Sequence, residues 1–130
     1  MIVDTSVWID AFRGGQSEQV RLVATYLAAD RQIFITPTIV QEVLQGVRAD
    51  DEYVLIKEGI LAHSILRLDP VEAAIGAADL YRSLRKKGVT IRKPNDCLIA
   101  HYAIFYDIPV LHHDADFDQI ASHTALRIAV

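Results

Sequence analysis

Short apolar runs alternate along the chain with longer stretches in which apolar residues recur every three or four positions. The short runs predict buried strands, and the longer stretches predict amphipathic helices. The predicted strands are Met1–Val3, Ile33–Ile35, Ser64–Leu68, Val110–His112 and an edge strand, Leu126–Ile128. The predicted helices are Val7–Phe12, Glu18–Ala29, Thr38–Gly46, Glu52–Ala62, Pro70–Lys87, Asn95–Tyr106 and Asp116–Ala121. This alternation is typical of a three-layer α/β/α fold around a short five-stranded parallel sheet.

Composition narrows the class of protein. With 52% hydrophobic and 23% charged residues, the chain is expected to fold as one globular domain over residues 1–130. No apolar run approaches the roughly 20 residues of a membrane helix. The single cysteine, Cys97, excludes a disulfide within the chain and suits the reducing cytoplasm. Asp4 interrupts the first apolar run, so a targeting segment is not expected.

Carboxylates follow two of the predicted strands directly. Asp4 comes after the first strand, and Asp114 lies two residues beyond Val110–His112. If these parallel strands are neighbours, both carboxylates lie at one edge of the sheet. Asp96 begins a helix, and Asp116 follows Asp114 closely. Clustered carboxylates resist joint ionisation unless a cation lies between them, and Mg²⁺ or Mn²⁺ is the natural choice for oxygen ligands.

Each acid also has a structural interpretation. Asp4 and Asp96 occupy positions where an aspartate often caps a helix N-terminus. Glu42 lies off the centre of the apolar stripe of its helix, and this periodicity favours a solvent-exposed side chain. Asp118 can be an ordinary surface acid. The stripe beside Glu42 consists of Ile39, Val40, Val43, Leu44 and Val47.

An EF-hand calcium loop is excluded. The spacing Asp114-x-Asp116-x-Asp118 resembles the start of such a loop. The loop requires glycine at its sixth position and glutamate at its twelfth, where this chain has Gln119 and Ala125.

The sequence lacks the signature motifs of several other kinds of catalytic or binding site. It contains no GxGxxG or GxxxxGK[ST] phosphate loop, no GxSxG elbow and no HExxH or Cys/His zinc spacing. Cys97 lies in an apolar helix and is expected to pack in the core. His112 and His113 are adjacent on a strand, so they face opposite sides and cannot both bind one ion.

Four motifs in order resemble those of the PIN-domain nucleases, most closely the VapC-like toxins: VDTSVWID, EVLQG, NDCLIAHYA and VLHHDADFD. The resemblance implies a catalytic quartet of acids, with three of them binding Mg²⁺ or Mn²⁺, and it overrules the solvent-exposed interpretation of the glutamate. It also implies that Ser6 hydrogen-bonds within the site and that Asp116 supports it. Many relatives have threonine where this chain has His112. The implied quartet is Asp4, Glu42, Asp96 and Asp114, with Asp4, Asp96 and Asp114 as the metal ligands.

The resemblance also implies a function. It implies an endoribonuclease that leaves a 5′-phosphate, acts as the toxin of a toxin–antitoxin pair and inhibits translation and growth. The implied partners are an RNA substrate, a small antitoxin and a second copy of the chain. Because the net charge is −4, phosphate contacts have to come from a local basic stretch, in which Arg85, Arg92 and Lys93 are the candidates. Alternatively, these basic residues do not bind RNA and belong to a solvent-exposed helix end, where cations interact favourably with the C-terminal end of the helix dipole.

The sequence also bears on three other classes of protein. A receiver domain requires an early acid pair, and the first strand offers only Asp4. A phosphatase with an aspartyl nucleophile requires D-x-D there, but Ser6 stands at the second position. A PIN-fold module that binds metal or protein without cutting RNA remains the alternative, although the chain keeps all four acids of the quartet.

Overall fold

The computed structural model describes residues 1–130 and contains seven helices around a parallel sheet of four strands. The strands are β1 (Ile2–Val3), β2 (Phe34–Ile35), β3 (Ser64–Ile65) and β4 (Val110–Leu111). The helices are α1 (Thr5–Phe12), α2 (Glu18–Ala28), α3 (Pro37–Gln45), α4 (Asp50–Leu61), α5 (Pro70–Lys86), α6 (Pro94–Tyr106) and α7 (Ala115–His123). The strand order is β3-β2-β1-β4. The predicted α/β class with a parallel sheet is therefore confirmed.

Helices cover both faces of the sheet. Neighbouring residues on a strand point to opposite faces, and in β1 both Ile2 and Val3 are fully buried. The same holds for Val110 and Leu111 in β4. These strands are therefore apolar at every position, which explains why short apolar runs without alternation marked them in the sequence.

The predicted fifth strand is wrong in extent. Only Ile128 pairs with the sheet, through an isolated parallel bridge to Val110. Upstream of it, the Leu126 backbone N–H donates to the Thr124 hydroxyl at 3.2 Å. This N–H is satisfied locally and is not free to extend a sheet ladder, so the edge strand shrinks to one pair.

Helix starts follow the caps that the sequence offers. Ser17, Thr36 and Asp69 each accept a backbone N–H from the first turn of α2, α3 and α5, respectively. Asp4 does the same for α1, so this helix begins at Thr5, two residues before the predicted Val7. No helix combines the length and apolar character that a membrane span requires.

The sheet topology brings the candidate acids together. β1 pairs with β4, with Val3 opposite Leu111, and the Asp4 N–H donates to the Leu111 carbonyl at 2.9 Å. The residues after both strands therefore lie at one edge, as the sequence predicted. The helices α3 and α6 pack against each other and add their own acids to the same edge.

Candidate functional site

Asp4 is held at the end of β1 by Ser6. The carboxylate Oδ2 accepts the backbone N–H of Ser6 at 3.0 Å and also the Ser6 hydroxyl. The same hydroxyl accepts the backbone N–H of His113 at 3.0 Å. Ser6 therefore links the segments that follow β1 and β4. Asp4 is both a helix cap and a buried site residue, so the two interpretations do not exclude each other.

Asp96 is the buried acid of the first turn of α6. Only 4% of its surface is exposed, and its Oδ2 atom is buried without a hydrogen-bond partner. Leaving a carboxylate oxygen buried and unpaired is costly, and a bound cation removes that cost.

Asp114 and Asp116 lie at the start of α7. Asp114 Oδ1 accepts the Asp116 backbone N–H at 3.0 Å, and its Oδ2 accepts the Lys93 ammonium at 3.1 Å. Asp116 Oδ2 accepts the backbone N–H of Arg92 at 3.2 Å and lies 3.4 Å from the Arg92 Nε. The loop before α6 therefore supplies the cations that face both carboxylates.

The carboxylates perturb each other's ionisation. Burial raises the pKa of Asp96 to about 8, and the negative charges of Asp114 and Asp4 add to the effect. Burial also raises the pKa of Asp4, against the hydrogen bonds from Ser6. Burial acts in the same direction on Asp114, but its hydrogen bonds from the Asp116 N–H and Lys93 outweigh it, and the Asp114 pKa is lowered. The cluster therefore holds a proton near neutral pH that a divalent cation can replace.

A candidate ligand group is visible in the geometry. One carboxylate oxygen each from Asp96, Asp114 and Asp116 lies within 4.8 Å of the others. The family resemblance implied a supporting role for Asp116 and placed Asp4 among the ligands. In the structure Asp4 is not part of this tight group; its carboxylate is hydrogen-bonded by Ser6, and it lines the same cavity.

These acids line an open cavity of about 460 Å³. The cavity lies between α1, α3 and the N-terminus of α6. Its lining is predominantly polar and acidic, which favours a cation over a free phosphate. The lining residues are Asp4, Thr5, Ser6, Ile9, Glu42, Gln45, Lys93, Asp96 and Asp114.

Glu42 lies on the wall of this cavity. It is half-buried, and its Oε1 accepts the Thr5 hydroxyl at 3.0 Å. Periodicity alone favoured a solvent-exposed side chain, and that interpretation is wrong because α3 packs against α1. The residues Ile39 and Val43 face the core, which leaves Glu42 on the flank beside Thr5.

Two of the three predicted phosphate-binding cations lie beside the acids, and the third lies elsewhere. Arg92 and Lys93 border the acids, and their side chains are 71% and 63% exposed, respectively. Arg85 lies in the last turn of α5, where its guanidinium is 5.6 Å from the centre of the Tyr81 ring. It does not line the acidic cavity.

His112 contacts the site from behind. It is buried, and its Nδ1 accepts the backbone N–H of Asp114 at 3.0 Å. Because Nδ1 accepts, the ring proton lies on Nε2, which faces Asp118 Oδ1 at 3.1 Å. His112 therefore fixes the backbone of Asp114, a contact that sequence reasoning did not assign.

His113 faces the opposite side, as expected for adjacent strand-end residues. Its Nε2 lies 3.0 Å from Asp10 Oδ2 and 3.0 Å from the Ser17 hydroxyl. Sequence reasoning missed Asp10, because nothing in its local pattern indicates that α1 and the end of β4 meet. Both oxygens face one ring nitrogen, so this group lacks the relay geometry of a catalytic triad.

Comparison with known proteins agrees with the fold and the motifs. The PIN domain family matches residues 1–122. VapC ribonuclease Mb1587 of Mycobacterium bovis and ribonuclease VapC11 of Mycobacterium tuberculosis are each 35% identical over 132 residues, which cover 99% of this chain and 97% of theirs.

Solved structures of similar fold include VapBC2 from Rickettsia felis bound to a promoter DNA fragment, with TM-score 0.72, 21% identity and coverage of 98% of this chain and 96% of that one. VapBC-5 from Mycobacterium tuberculosis has TM-score 0.69 and 24% identity, with coverage of 98% and 94%. The family resemblance of the four motifs is confirmed, and the chain belongs to the PIN domain family.

Proposed function

We propose that this protein is a metal-dependent endoribonuclease, formed by one domain, that acts in the cytoplasm as the toxin of a toxin–antitoxin pair. The observation that carries the proposal is the buried Asp96 carboxylate, whose Oδ2 has no hydrogen-bond partner and which lies with Asp4 and Asp114 in one open acidic cavity. Relatives named VapC ribonucleases, matched over nearly the whole chain, support the RNA substrate.

The donor set fits a hard divalent ion. Every candidate ligand is a carboxylate oxygen, and Mg²⁺ and Mn²⁺ prefer oxygen donors. We assign Asp4, Asp96 and Asp114 as the ligands, with Glu42 completing the catalytic quartet and Asp116 close enough to assist. When bound, the ion supplies an activated water and neutralises charge on the phosphoryl oxygens.

The protein's own residues orient the reaction. Ser6 holds Asp4, while Lys93 and the Asp116 N–H hold Asp114. Thr5 occupies Glu42 Oε1, so Glu42 Oε2 is our candidate to accept the proton of the attacking water. The water oxygen bonds to phosphorus, the bond to the 3′ oxygen breaks, and the departing 3′ oxygen takes a proton from solvent. The products are a 5′-phosphate and a 3′-hydroxyl.

Substrate binding requires cations next to the acids. Arg92 and Lys93 are exposed and border the cavity, so we propose that they contact RNA phosphates on either side of the cut. Single-stranded RNA is the expected form, because its bases are free to unstack. Arg85 lies in the last turn of α5, away from the cavity, and we propose that it contacts RNA farther from the cut.

The proposed protein partners are a small antitoxin and a second copy of the chain. Two solved structures of similar fold, from Rickettsia felis and Mycobacterium tuberculosis, are named VapBC2 and VapBC-5, and the latter is described as a member of the VapBC family of toxin–antitoxin systems. An acidic cavity of this size accommodates an arginine or lysine side chain from an antitoxin, which would compete with the metal for the carboxylates.

A cleavage assay on cellular RNA tests the function. Purified protein is incubated with Mg²⁺, with Mn²⁺ and with chelator, alongside Asp96→Asn and the charge-matched control Asp79→Asn. Asp79 is an exposed acid of α5 that does not line the cavity. We expect cleavage only with metal, loss of cleavage in Asp96→Asn and retention in Asp79→Asn. Equal cleavage by wild type and Asp96→Asn would show contamination, and metal binding without cleavage would favour a non-catalytic module.

A further inference from the structure

An open groove of about 360 Å³ lies between α5 and α6. Small side chains leave this space, because alanines occur on the α5 side where larger residues would fill it. The helices are otherwise in close contact along their length. The lining of this α5–α6 groove consists of Ala74, Ala77, Ala78, Tyr81, Arg82, Pro94, Asn95 and Leu98.

The groove adjoins the acidic cavity. Pro94 and Asn95 line the groove, while Lys93 and Asp96, on either side of them in sequence, line the cavity. Successive Cα atoms are about 3.8 Å apart, so one turn of α6 forms a wall shared by both sites. The mouth of the groove therefore lies close to Asp96.

The chemistry of the lining suits a nucleobase. Tyr81 offers an aromatic ring beside the apolar side chains of the wall, and the side chain of Asn95 offers one acceptor and two N–H donors. Arg82 lines the groove, and the Arg85 guanidinium lies 5.6 Å from the Tyr81 ring. A flat base attached to a phosphate matches an aromatic, apolar wall with a cationic rim, because bases stack on aromatic rings and the backbone pairs with cations.

We propose that the α5–α6 groove binds one unstacked base of single-stranded RNA beside the scissile phosphate and contributes to the choice of cut site. This inference rests on the proposed nuclease function and deepens it. The charge of the rim favours RNA over an apolar protein segment, since Arg82, Arg85 and Lys93 all lie next to the groove or the wall it shares with the cavity.

Filling the groove tests the proposal. Ala78 is exposed on the groove wall, so Ala78→Leu occupies the space at little cost in folding. Tyr81→Leu removes the aromatic ring and is a second, independent variant. Ser83→Leu is the matched control, because Ser83 is exposed on the same helix and does not line the groove. The substrates are one defined RNA and versions with an abasic nucleotide at each position flanking the cut.

We expect an abasic nucleotide at one flanking position to raise the KM of the wild type roughly tenfold, the effect of one lost stacked base. Ala78→Leu and Tyr81→Leu should raise the KM for intact RNA by a similar factor, with a smaller change in kcat. For these two variants, the KM for the abasic RNA should be no higher than the KM for intact RNA. Ser83→Leu should behave like the wild type.

Other outcomes contradict the inference. Unchanged KM and cut sites in Ala78→Leu, or additive effects of the variant and the abasic nucleotide, would show that no base enters the groove. A loss of antitoxin binding or of self-association, without a change in KM, would show that the groove docks protein. If the wild type cuts no RNA, the nuclease proposal is wrong. In that case fluorescence anisotropy still tests the groove, because it compares the affinity of the protein for intact RNA with its affinity for the abasic RNAs.

Discussion

Replacing Asp96 by asparagine removes one buried charge and keeps the shape of the side chain. In the metal-free protein the Asp96 pKa is raised to about 8, first by burial and then by Asp114 and Asp4. The unfolded chain has the ordinary value of 3.8. We therefore expect Asp96→Asn to be more stable than the wild type at alkaline pH when no metal is present.

The direction of this change in stability with pH follows from proton linkage. Between the unfolded pKa of 3.8 and the folded pKa of about 8, the native state holds a proton that the unfolded state has released. The free energy of unfolding of the wild type therefore falls as pH rises through this window. Below this pH window Asp96 is protonated in both the folded and the unfolded state, so it does not lower the free energy of unfolding. Asparagine does not titrate, so the variant lacks this loss.

The size of the stability difference follows from the same shift in the Asp96 pKa. A rise from 3.8 to about 8, at about 1.4 kcal/mol per pKa unit, sets an upper limit of about 6 kcal/mol. The real difference is smaller because water enters the open cavity and Lys93 can move toward the charge. We expect the variant to be about 2–3 kcal/mol more stable at about pH 8.5, and equal to the wild type near pH 4.

Urea unfolding in chelator at both pH values measures this difference, with Asp79→Asn as the control. Added Mg²⁺ should then stabilise the wild type more than Asp96→Asn, because a ligand that binds only the native state adds its binding free energy to stability. The reasoning is refuted if the variant shows the same stability difference at both pH values. It is also refuted if the wild type is the more stable protein in chelator at the higher pH.

Three further variants probe the surroundings of the acids. Ser6→Ala should lower the single-turnover cleavage rate roughly ten- to a hundredfold with little change in Tm, because Asp4 loses the hydroxyl bond and keeps only the backbone N–H of residue 6; an unchanged rate would contradict this. His112→Leu leaves the buried Asp114 N–H unpaired and should cost about 1–3 kcal/mol in urea unfolding, and a smaller loss would mean that another acceptor replaces it. Lys93→Met should weaken RNA binding in anisotropy and lower its salt slope by about one, whereas a parallel salt dependence would exclude a phosphate contact.

The fold was predictable where local pattern decides it. Fully apolar runs marked the buried strands, and caps such as Thr36 and Asp69 marked helix starts. The fifth strand was not predictable, because Leu126 donates its N–H to Thr124 and an apolar triplet does not reveal such a competing hydrogen bond.

The site was predictable only in part. The meeting of Asp4 and Asp114 follows from parallel strands that end at one edge. Glu42 and Asp96 come from helices, and periodicity does not give the angle at which a helix packs. Their placement was expected from the family resemblance alone. The contact of His112 with Asp118 depends on how α7 folds back over β4, which the spacing of two residue types does not reveal.

The most direct test of the account measures Mn²⁺ affinity and RNA cleavage rate on the same preparations. The series consists of wild type, Asp96→Asn, Asp114→Asn and the control Asp79→Asn. Both quantities should fall together in Asp96→Asn and Asp114→Asn and stay at the wild-type level in the control, because we propose that this carboxylate cluster holds the ion on which cleavage depends. A variant that loses Mn²⁺ binding and still cleaves RNA at the wild-type rate would contradict the assignment of this cavity as the nuclease site.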